Sequence, residues 1–395
     1  MVTLDQIYEA KQRLRGVSTQ TPVMHASKIQ ENLYLKAENL QETGAFKLRG
    51  AYNKISCLTE EEASHGVVAC SAGNHAQGIA LSASRRGIRS VICMPASAPL
   101  AKVESTRAYG GEVVLVPGVY DDAAAEAERL SREEHLTFAH PFNDPYVIAG
   151  QGTIGLEILD QMPEVDVVVA AIGGGGLISG IACAVKSLKP SCKVYGVQAA
   201  NAASMYDSLR AGHIVTLGSA STIADGIAVK TPGELTFAMV QRYVDGVVTV
   251  SEDEIAAAML TLIEKQKTVA EGAGASTVAA VLFNKLGDLT GKKICCVVSG
   301  GNIDVGTLSR VINRGLVKSG RISEFSVVLK DTPGELNRLL SKVAAEGANV
   351  VTIEHGREMQ RFDIGYCGVH LVVETRDEAH REQLAAALKQ AGFAL

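Results

Sequence analysis

Seven short runs of apolar, mostly β-branched residues recur along the first 300 positions of the chain. They lie at 66–70, 90–95, 112–118, 166–172, 193–199, 246–251 and 293–299. Their hydrophobic residues are consecutive rather than alternating, which is typical of strands buried on both faces of a sheet. Apolar residues at helical spacing follow most runs, as at Leu177, Ile181, Ala184 and Leu188. This alternation predicts an α/β fold with doubly wound sheets.

The pattern changes near residue 318, where the polar segment "GLVKSGRIS" predicts a linker. A strand pattern over 322–330 comes next. It is followed by a helix for which Thr332 is a suitable N-cap and Pro333 a suitable first-turn residue. Two more strand patterns, a helix from about 377 and the final "GFAL" complete a βαββαβ order. That order predicts a ferredoxin-like unit at the end of the chain.

Composition narrows the function. The chain has 395 residues, of which 47% are hydrophobic, and this is enough for two or three compact units. Its net charge is −5 without a basic patch, which argues against a nucleic-acid partner. Eight cysteines without zinc-type spacing indicate reduced thiols and a cytoplasmic location. The uncharged stretch 167–185 contains four consecutive glycines, so we interpret it as strand, turn and helix, with no membrane partner.

Three strand patterns run directly into polar or glycine-rich turns. These turns are "CSAGNHAQG", "GGGGLISG" and "SGGN", after 66–70, 166–172 and 293–299. Since ligands of open parallel sheets lie beyond the carboxyl ends of the strands, we expect one shared cleft. Each turn also has a plainer interpretation, which is helix capping by Ser71 or Asn74 in the first case and an ordinary turn in the others.

The glycine loop indicates a phosphate-bearing ligand. Four glycines let the backbone approach a phosphate and point its amides at it. The spacing is not GxGxxG, the next strand ends at Gln198 instead of an acidic residue, and no Gly-Lys-Ser/Thr follows, so dinucleotide and P-loop sites fit poorly. Lys47, in "ETGAFKLRGA", would be a solvated charge, a phosphate ligand or an amine that forms a Schiff base. The residues alone leave that choice open.

Taken in order, "ENLQETGAFKLRGA", "SAGNHAQG", "GGGGL" and "SGGN" resemble the motifs of fold-type II pyridoxal-phosphate enzymes, and of threonine ammonia-lyases (threonine dehydratases) among them. Segments 140–158 and 222–237 are similar to the same family, and the likeness covers about residues 4–316. The resemblance implies pyridoxal 5′-phosphate as cofactor. It also implies a catalytic domain over 1–317, in which a smaller subdomain of about 44–144 is inserted into a larger one.

The resemblance implies roles for individual positions. Lys47 would bind the cofactor covalently and act as the catalytic base, Asn74 would hydrogen-bond the cofactor's 3′-hydroxyl, and Ser299 would face its pyridine nitrogen. The other expected cofactor-binding residues are Phe46, Gly173, Gly174, Gly175, Gly176, Leu177 and Gly300. The expected substrate-binding residues are Ser71, Ala72, Gly73, Asn74 and His75. Lys47 would thus be buried and covalently bound rather than solvated.

The implied reaction is β-elimination and deamination of L-threonine to 2-oxobutanoate and ammonia, with some activity on L-serine. The sequence departs from its relatives at Ala45, where a serine is common beside the lysine. It also has Ala72 where related serine racemases carry a second serine, and "VQAANAAS" (197–204) lacks their acidic metal ligands. We therefore expect elimination rather than racemisation, and no metal.

Residues 322–395 resemble an ACT domain, a module that typically binds a small amino acid between copies. The resemblance places an amino-acid effector at Pro333, Gly334, Glu335, Leu336, Asn349 and Val350. It implies allosteric control by isoleucine or valine, a role in isoleucine biosynthesis, and a homotetramer or homodimer. The alternative is an oligomerisation module that binds no ligand.

Other functions stay open. A dehydratase acting on L-serine or 3-hydroxyaspartate would have the same fold, because specificity depends on a few pocket contacts. A catalytically silent amino-acid sensor would work through the ACT unit alone. An NAD-linked dehydrogenase fits least well.

Overall fold

A computed structural model describes residues 1–357 and 364–395 of the chain. These residues form two compact units, Met1–Asp304 and Val305–Leu395. Each unit has hydrophobic core residues of its own. Among the described helices, none combines the length and the hydrophobicity that crossing a membrane requires.

The N-terminal unit contains two sheets. Its strands are β1 (Val23–His25), β2 (Leu33–Ala37), β3 (Val67–Cys70), β4 (Ser90–Pro95), β5 (Glu112–Val116), β6 (Thr137–Phe138), β7 (Val167–Ala171), β8 (Lys193–Ala199), β9 (Gly246–Val250) and β10 (Ile294–Val298). The larger sheet has the order β1–β2–β10–β7–β8–β9, and the smaller has the order β5–β4–β3–β6. Neighbouring strands are parallel, except that β1 pairs antiparallel with β2 at the edge.

The strand pattern of the sequence is confirmed in all seven predicted runs. Every residue of β7 and β10 is buried, because helices cover both faces of the sheet, and this explains their consecutive hydrophobic residues. Strands β1, β2 and β6 were not predicted. The first and last have only three and two residues, and β2 contains the charged Lys36. The α/β fold class is therefore correct.

Twelve α-helices connect and cover these strands. They are α1 (Leu4–Arg13), α2 (Lys47–Ser56), α3 (Glu60–His65), α4 (Asn74–Arg85), α5 (Leu100–Ala108), α6 (Tyr120–Glu133), α7 (Pro145–Gln161), α8 (Gly176–Leu188), α9 (Ser204–Ala211), α10 (Glu234–Tyr243), α11 (Glu252–Thr261) and α12 (Gly272–Leu282). Helices α7 and α8 pack closely because Gly180 has no side chain. A Cβ there would lie 2.3 Å from the Ile148 carbonyl oxygen and 2.5 Å from the Gly152 nitrogen.

A buried ionic cluster lies beside α2. Arg49 donates to Glu38 from Nε at 2.8 Å and to Glu157 from Nη1 at 2.6 Å. Lys36 donates to the same Glu157 carboxylate at 2.6 Å. All four side chains are less than 10% exposed. The cluster is neutral overall, and it fixes α2, whose first residue is Lys47, against α7 and β2.

The C-terminal unit is a helix-covered antiparallel sheet. Its elements are α13 (Val305–Lys318), β11 (Ile322–Lys330), α14 (Glu335–Ala345), β12 (Asn349–Gly356), β13 (Tyr366–Glu374) and α15 (Glu378–Gln390). The strand order is β11–β13–β12. A single bridge between Val328 and Ala394 stands where the fourth strand of a ferredoxin-like unit would be. The βαββαβ order, with that last strand reduced to one bridge, is thus an ACT-like fold.

Two local predictions for this unit were wrong. Helix α14 begins at Glu335, with Gly334 as N-cap at φ +95°, so Thr332 and Pro333 lie in the preceding turn. The left-handed backbone of Gly334, which favours glycine, sets the helix start two residues later than the capping pattern indicated. The expected linker is also shorter, because α13 continues to Lys318.

Candidate active site

The predicted cofactor and substrate residues meet in one cavity of about 1120 Å³ in the N-terminal unit. It lies at the carboxyl ends of β3, β7 and β10, as expected for parallel sheets. The predicted residues that line it are Phe46, Lys47, Ser71, Ala72, Gly73, Asn74, His75, Gly173, Gly174, Gly175, Gly176, Leu177 and Ser299. Gly300 does not line the cavity. It lies beside the cavity wall, where its carbonyl accepts from the Glu271 amide at 3.0 Å.

Lys47 is the first residue of α2, and its side chain is partly buried in the cavity wall. Its Nζ donates a hydrogen bond to the Pro141 carbonyl at 2.8 Å. Burial lowers the pKa of this amine to about 8, although the negative charge of Glu271 opposes the shift. With a pKa of about 8, about a tenth of Lys47 is neutral at pH 7, far more than for an amine with the ordinary value of 10.5, so a neutral nucleophile or base is available there. It is not a solvated surface charge.

The loop before α4 presents backbone donors. The N-cap residue of α4 is Gly73, which has no side chain to occupy the N–H groups of the first turn. Ser71 does not cap the helix, and its Oγ accepts from the Gly73 amide at 3.2 Å. A helix start of this kind attracts anions, because its N–H groups and its dipole end are positive. The plainer interpretation of this loop, helix capping by Ser71 or Asn74, is not what the structure shows.

The amide of Asn74 is oriented by its neighbours. Asn302 Nδ2 donates to Asn74 Oδ1 at 2.9 Å, and Asn74 Nδ2 donates to Glu271 Oε1 at 2.8 Å. The side-chain oxygen of Asn74 thus already accepts a hydrogen bond from Asn302. One hydrogen of its amino group remains for a ligand in the cavity.

The glycine loop packs tightly against other parts of the cavity wall. A Cβ at Gly174 would lie 2.4 Å from the Phe142 ring, and Gly175 has φ +99°. Helix α8 begins at Gly176 directly after this left-handed residue. The loop can therefore bring its amides and the start of α8 to a phosphate group only because it lacks side chains.

Sequence reasoning missed several titratable residues of the cavity, and two of them, Glu271 and His140, interact electrostatically with Lys47. Glu271, in "EGAG" before α12, is 4% exposed, and burial and the charge of Asp225 raise its pKa to about 7. His140, which follows β6, lines the cavity, and burial and the charge of Lys47 lower its pKa to about 4. A glutamate before a glycine-rich helix resembles an ordinary first-turn acid, so only the fold reveals it. His140 lay within a family-like segment without an assigned role.

The chain belongs to the pyridoxal-phosphate dependent enzymes, since residues 14–300 match the model of that family. It is 51% identical to the L-threonine ammonia-lyase of Thermotoga maritima, over 100% of this chain and 98% of that protein. It is 47% identical to the catabolic L-threonine dehydratase TdcB of Escherichia coli, over 78% of this chain and 96% of that protein. The structure of threonine deaminase isoform 2 from Solanum lycopersicum is similar, with a TM-score of 0.75, 39% identity, and coverage of 78% and 88% of the two chains.

The cavity fits the cofactor of this family. The side-chain-free loop at 173–176 leaves a backbone cradle at the start of α8, where a Cβ would clash with the wall. The Lys47 amine, with its lowered pKa, lies in the same cavity and can condense with an aldehyde. Pyridoxal phosphate carries both the phosphate and the aldehyde that these features require.

The predicted effector residues form two groups in the C-terminal unit. Pro333 to Leu336 follow the end of β11, whereas Asn349 and Val350 begin β12. Through β13, Asn349 is in register with Ile322 at the start of β11. The two groups are therefore separated by about the length of the sheet, which for eight residues of strand is roughly 26 Å.

One cluster of metal-type ligands lies at the Pro333 end of that sheet. Polar atoms of Asp331, His355 and Cys367 are within 4.8 Å of one another. The Arg357 guanidinium pairs with Asp331 at 3.0 Å. Because that cation already occupies the carboxylate, we assign no metal to the cluster.

Proposed function

We propose that this enzyme deaminates L-threonine to 2-oxobutanoate and ammonia, and that it accepts L-serine as a second substrate. The observation that carries the proposal is the Lys47 amine, with its pKa lowered to about 8, in one cavity with the glycine loop. The similarity to an L-threonine ammonia-lyase over the whole chain supports threonine as the substrate.

The residues of the cavity would have the following roles in the reaction. Lys47 holds the cofactor and, once the substrate takes its place, removes the α-proton as general base. The first turn of α4, with Ser71 and Asn74, binds the substrate carboxylate. Gly173 to Leu177 hold the phosphate of the cofactor, and Ser299 faces its ring nitrogen. When bound, the cofactor supplies an electron sink for the bond that is broken at Cα.

Elimination is favoured over racemisation because the chain has Ala72 at the position where related serine racemases carry a second serine. Ala72 provides no hydroxyl to return a proton to Cα, so loss of the β-hydroxyl is the remaining route. A neutral serine at the ring nitrogen also disfavours a long-lived carbanion. We therefore assign the protein as a lyase that acts on β-hydroxy amino acids.

We also propose that the C-terminal unit binds isoleucine or valine and controls the enzyme allosterically, which would place it in isoleucine biosynthesis. Residues Pro333 to Leu336, Asn349 and Val350 are the proposed contacts. A cytoplasmic homotetramer or homodimer is the proposed assembly. The ACT-like fold and the full-length similarity to a threonine ammonia-lyase support this proposal.

The test is 2-oxo acid release by the purified holoenzyme from L-threonine, L-serine and 3-hydroxyaspartate, with and without isoleucine. We expect L-threonine to have the highest kcat/KM and isoleucine to reduce it. A preference for 3-hydroxyaspartate would contradict the substrate assignment, and unchanged kinetics with isoleucine would leave the C-terminal unit only a structural role.

A further inference from the structure

His140 is held in one tautomer by its own loop. Its Nδ1 accepts hydrogen bonds from the backbone amides of Phe142 at 3.2 Å and Asn143 at 2.8 Å. An imidazole nitrogen that accepts two such bonds must carry the lone pair, so the ring hydrogen is on Nε2. The loop that follows β6 thus presents an N–H donor from this ring.

The ring stays neutral at physiological pH. The charged groups that act on it are Lys47, which lowers its pKa together with burial, and Asp144, which opposes them, and the result is about 4. His140 lines the cavity, and the hydrogen bonds that its ring makes to the described residues involve Nδ1 and not Nε2. It is therefore a fixed, uncharged donor whose natural partner is a ligand.

The donor is placed beside the reacting amine. The carbonyl of the next residue, Pro141, accepts from Lys47 Nζ at 2.8 Å. Strand β6 is also the neighbour of β3, and His75 Nε2 lies 2.9 Å from the Ala139 carbonyl oxygen, which ties the two loops together. The start of α4, Lys47 and His140 line the same cavity, so a substrate held by its carboxylate at α4 with its Cα at Lys47 can bring its β-substituent to His140.

We propose that the Nε2–H of His140 donates a hydrogen bond to the β-hydroxyl oxygen of the substrate and thereby selects β-hydroxy amino acids. This inference rests on the proposed function. In the elimination, the α-proton passes to Lys47, the Cα–Cβ double bond forms, and the Cβ–O bond breaks with its electron pair on oxygen. The oxygen takes up the proton held by Lys47 and leaves as water. His140 stabilises the charge that grows on this oxygen and keeps its own proton throughout.

Two substitutions distinguish the role of Nε2–H as a donor to the substrate from the role of Nδ1 as an acceptor for the loop amides. In His140→Asn, the side-chain oxygen can replace Nδ1 as acceptor for the Phe142 and Asn143 amides, but the amide is too short to replace Nε2–H. In His140→Gln, the amide nitrogen can reach the Nε2 position, but the Nδ1 acceptor is lost. If His140 has only a structural role, His140→Asn should reduce kcat less than His140→Gln does. If His140 is the donor, His140→Gln should reduce kcat on the hydroxy substrates less than His140→Asn does.

The readout compares substrates that differ only in the leaving group. L-Threonine is paired with 2-amino-3-chlorobutanoate, and L-serine with 3-chloroalanine, because chloride departs without help from a donor. For His140→Asn we expect kcat on the hydroxy substrates to fall roughly 10- to 100-fold, the usual effect of one hydrogen bond to a developing charge. We expect kcat on the chloro substrates to stay within about threefold. His140→Gln should recover part of the loss on the hydroxy substrates.

Each other result contradicts the inference. An equal loss on hydroxy and chloro substrates would place the contact at the carboxylate, which both share, and an unchanged kcat would remove the contact altogether. The thermal midpoint of each variant reports misfolding independently of activity. Wild-type holoenzyme that is inactive on threonine would overturn the proposed function itself, and that result is obtained before any variant is made.

Discussion

The predicted ligand residues of the two units are distributed in different ways. In the N-terminal unit, four separate segments, 46–47, 71–75, 173–177 and 299, line one cavity. In the C-terminal unit, the effector segments 333–336 and 349–350 lie at opposite ends of one sheet. Parallel strands explain the first case, since their carboxyl ends share one edge. In the second, α14 returns the chain along the sheet, so that one segment follows β11 and the other begins β12.

This difference determines which site one chain can complete. The cofactor cavity needs only residues of its own unit. An amino acid is only a few ångströms long, so an effector that contacts both segments would have to lie between two copies of the chain. Substitutions in the cavity should therefore act within their own chain, whereas substitutions in the effector segments should act across copies.

The largest effect is expected for Lys47→Ala. It removes both the covalent attachment point and the general base, so we expect kcat for 2-oxo acid release to fall by at least about 10⁴-fold. The measurement is product release under single-turnover conditions, together with peptide mass mapping after borohydride reduction. A reduced cofactor adduct at Lys47 is expected in the wild type. Finding the adduct on another lysine would contradict the assignment of the cofactor site to the Lys47 cavity.

The ionic clusters of the two units differ as well. Arg49→Met leaves two buried carboxylates, Glu38 and Glu157, without their main cation. We expect a loss of about 3–5 kcal/mol in the stability of the N-terminal unit, because breaking a buried pair leaves uncompensated charge. Urea unfolding of the cofactor-free protein, monitored by circular dichroism, measures this loss.

The matched control is Arg381→Met in the C-terminal unit. Arg381 pairs with Glu378 across one helical turn, and both side chains are more than 40% exposed. Exposed pairs of this kind contribute little. We expect no measurable shift of the unfolding curve, and equal effects of the two substitutions would mean that the Arg49 cluster is not a buried network in solution.

How much the sequence could predict depends on the kind of residue. The β7 and β10 strands were predictable because their residues are apolar throughout, and the position of Lys47 in the cavity was predictable because its motif resembles that of a family. Glu271 was not, because its burial results from packing between the α12 start and the loops at 74 and 225, which are distant in sequence. The start of α14 was missed because the left-handed turn at Gly334 overrode the local capping pattern.

Glu271 should make the stability of the N-terminal unit depend on pH. Burial and the charge of Asp225 raise its pKa from 4.5 to about 7, so the folded protein favours the neutral acid. A raised pKa contributes stability that is present below pH 4.5 and is lost as pH rises through 7. The shift corresponds to about 3 kcal/mol. Relative to wild type, Glu271→Gln should thus become more stable by about this amount as pH rises from about 4.5 to about 8.

The measurement is unfolding of the cofactor-free wild type and Glu271→Gln at a series of pH values. The glutamine side chain of the variant does not titrate, and its amide oxygen can still accept from Asn74, which makes the two proteins closely matched. Groups that do not interact with Glu271 titrate equally in both proteins and cancel in the difference. Lys47 interacts with Glu271 and has a pKa of about 8, so the comparison is read below that pH. A difference that does not change with pH would mean that Glu271 is not shielded from solvent.

The smallest effect is expected in the C-terminal unit and concerns regulation alone. Glu335→Ala and Asn349→Ala, at opposite ends of the sheet, should each leave kcat without effector unchanged and weaken inhibition by isoleucine, by about 5- to 150-fold in effector affinity.

If the effector site lies between two copies, one copy supplies Glu335 to it and the other copy supplies Asn349. A hybrid assembled from both variants then contains one site with both defects and one intact site. Co-expressed, differently tagged chains should consequently recover part of the isoleucine response that neither variant has alone. Hybrids as insensitive as their parents would mean that one chain supplies the whole effector site, and the contrast with the cofactor cavity would disappear.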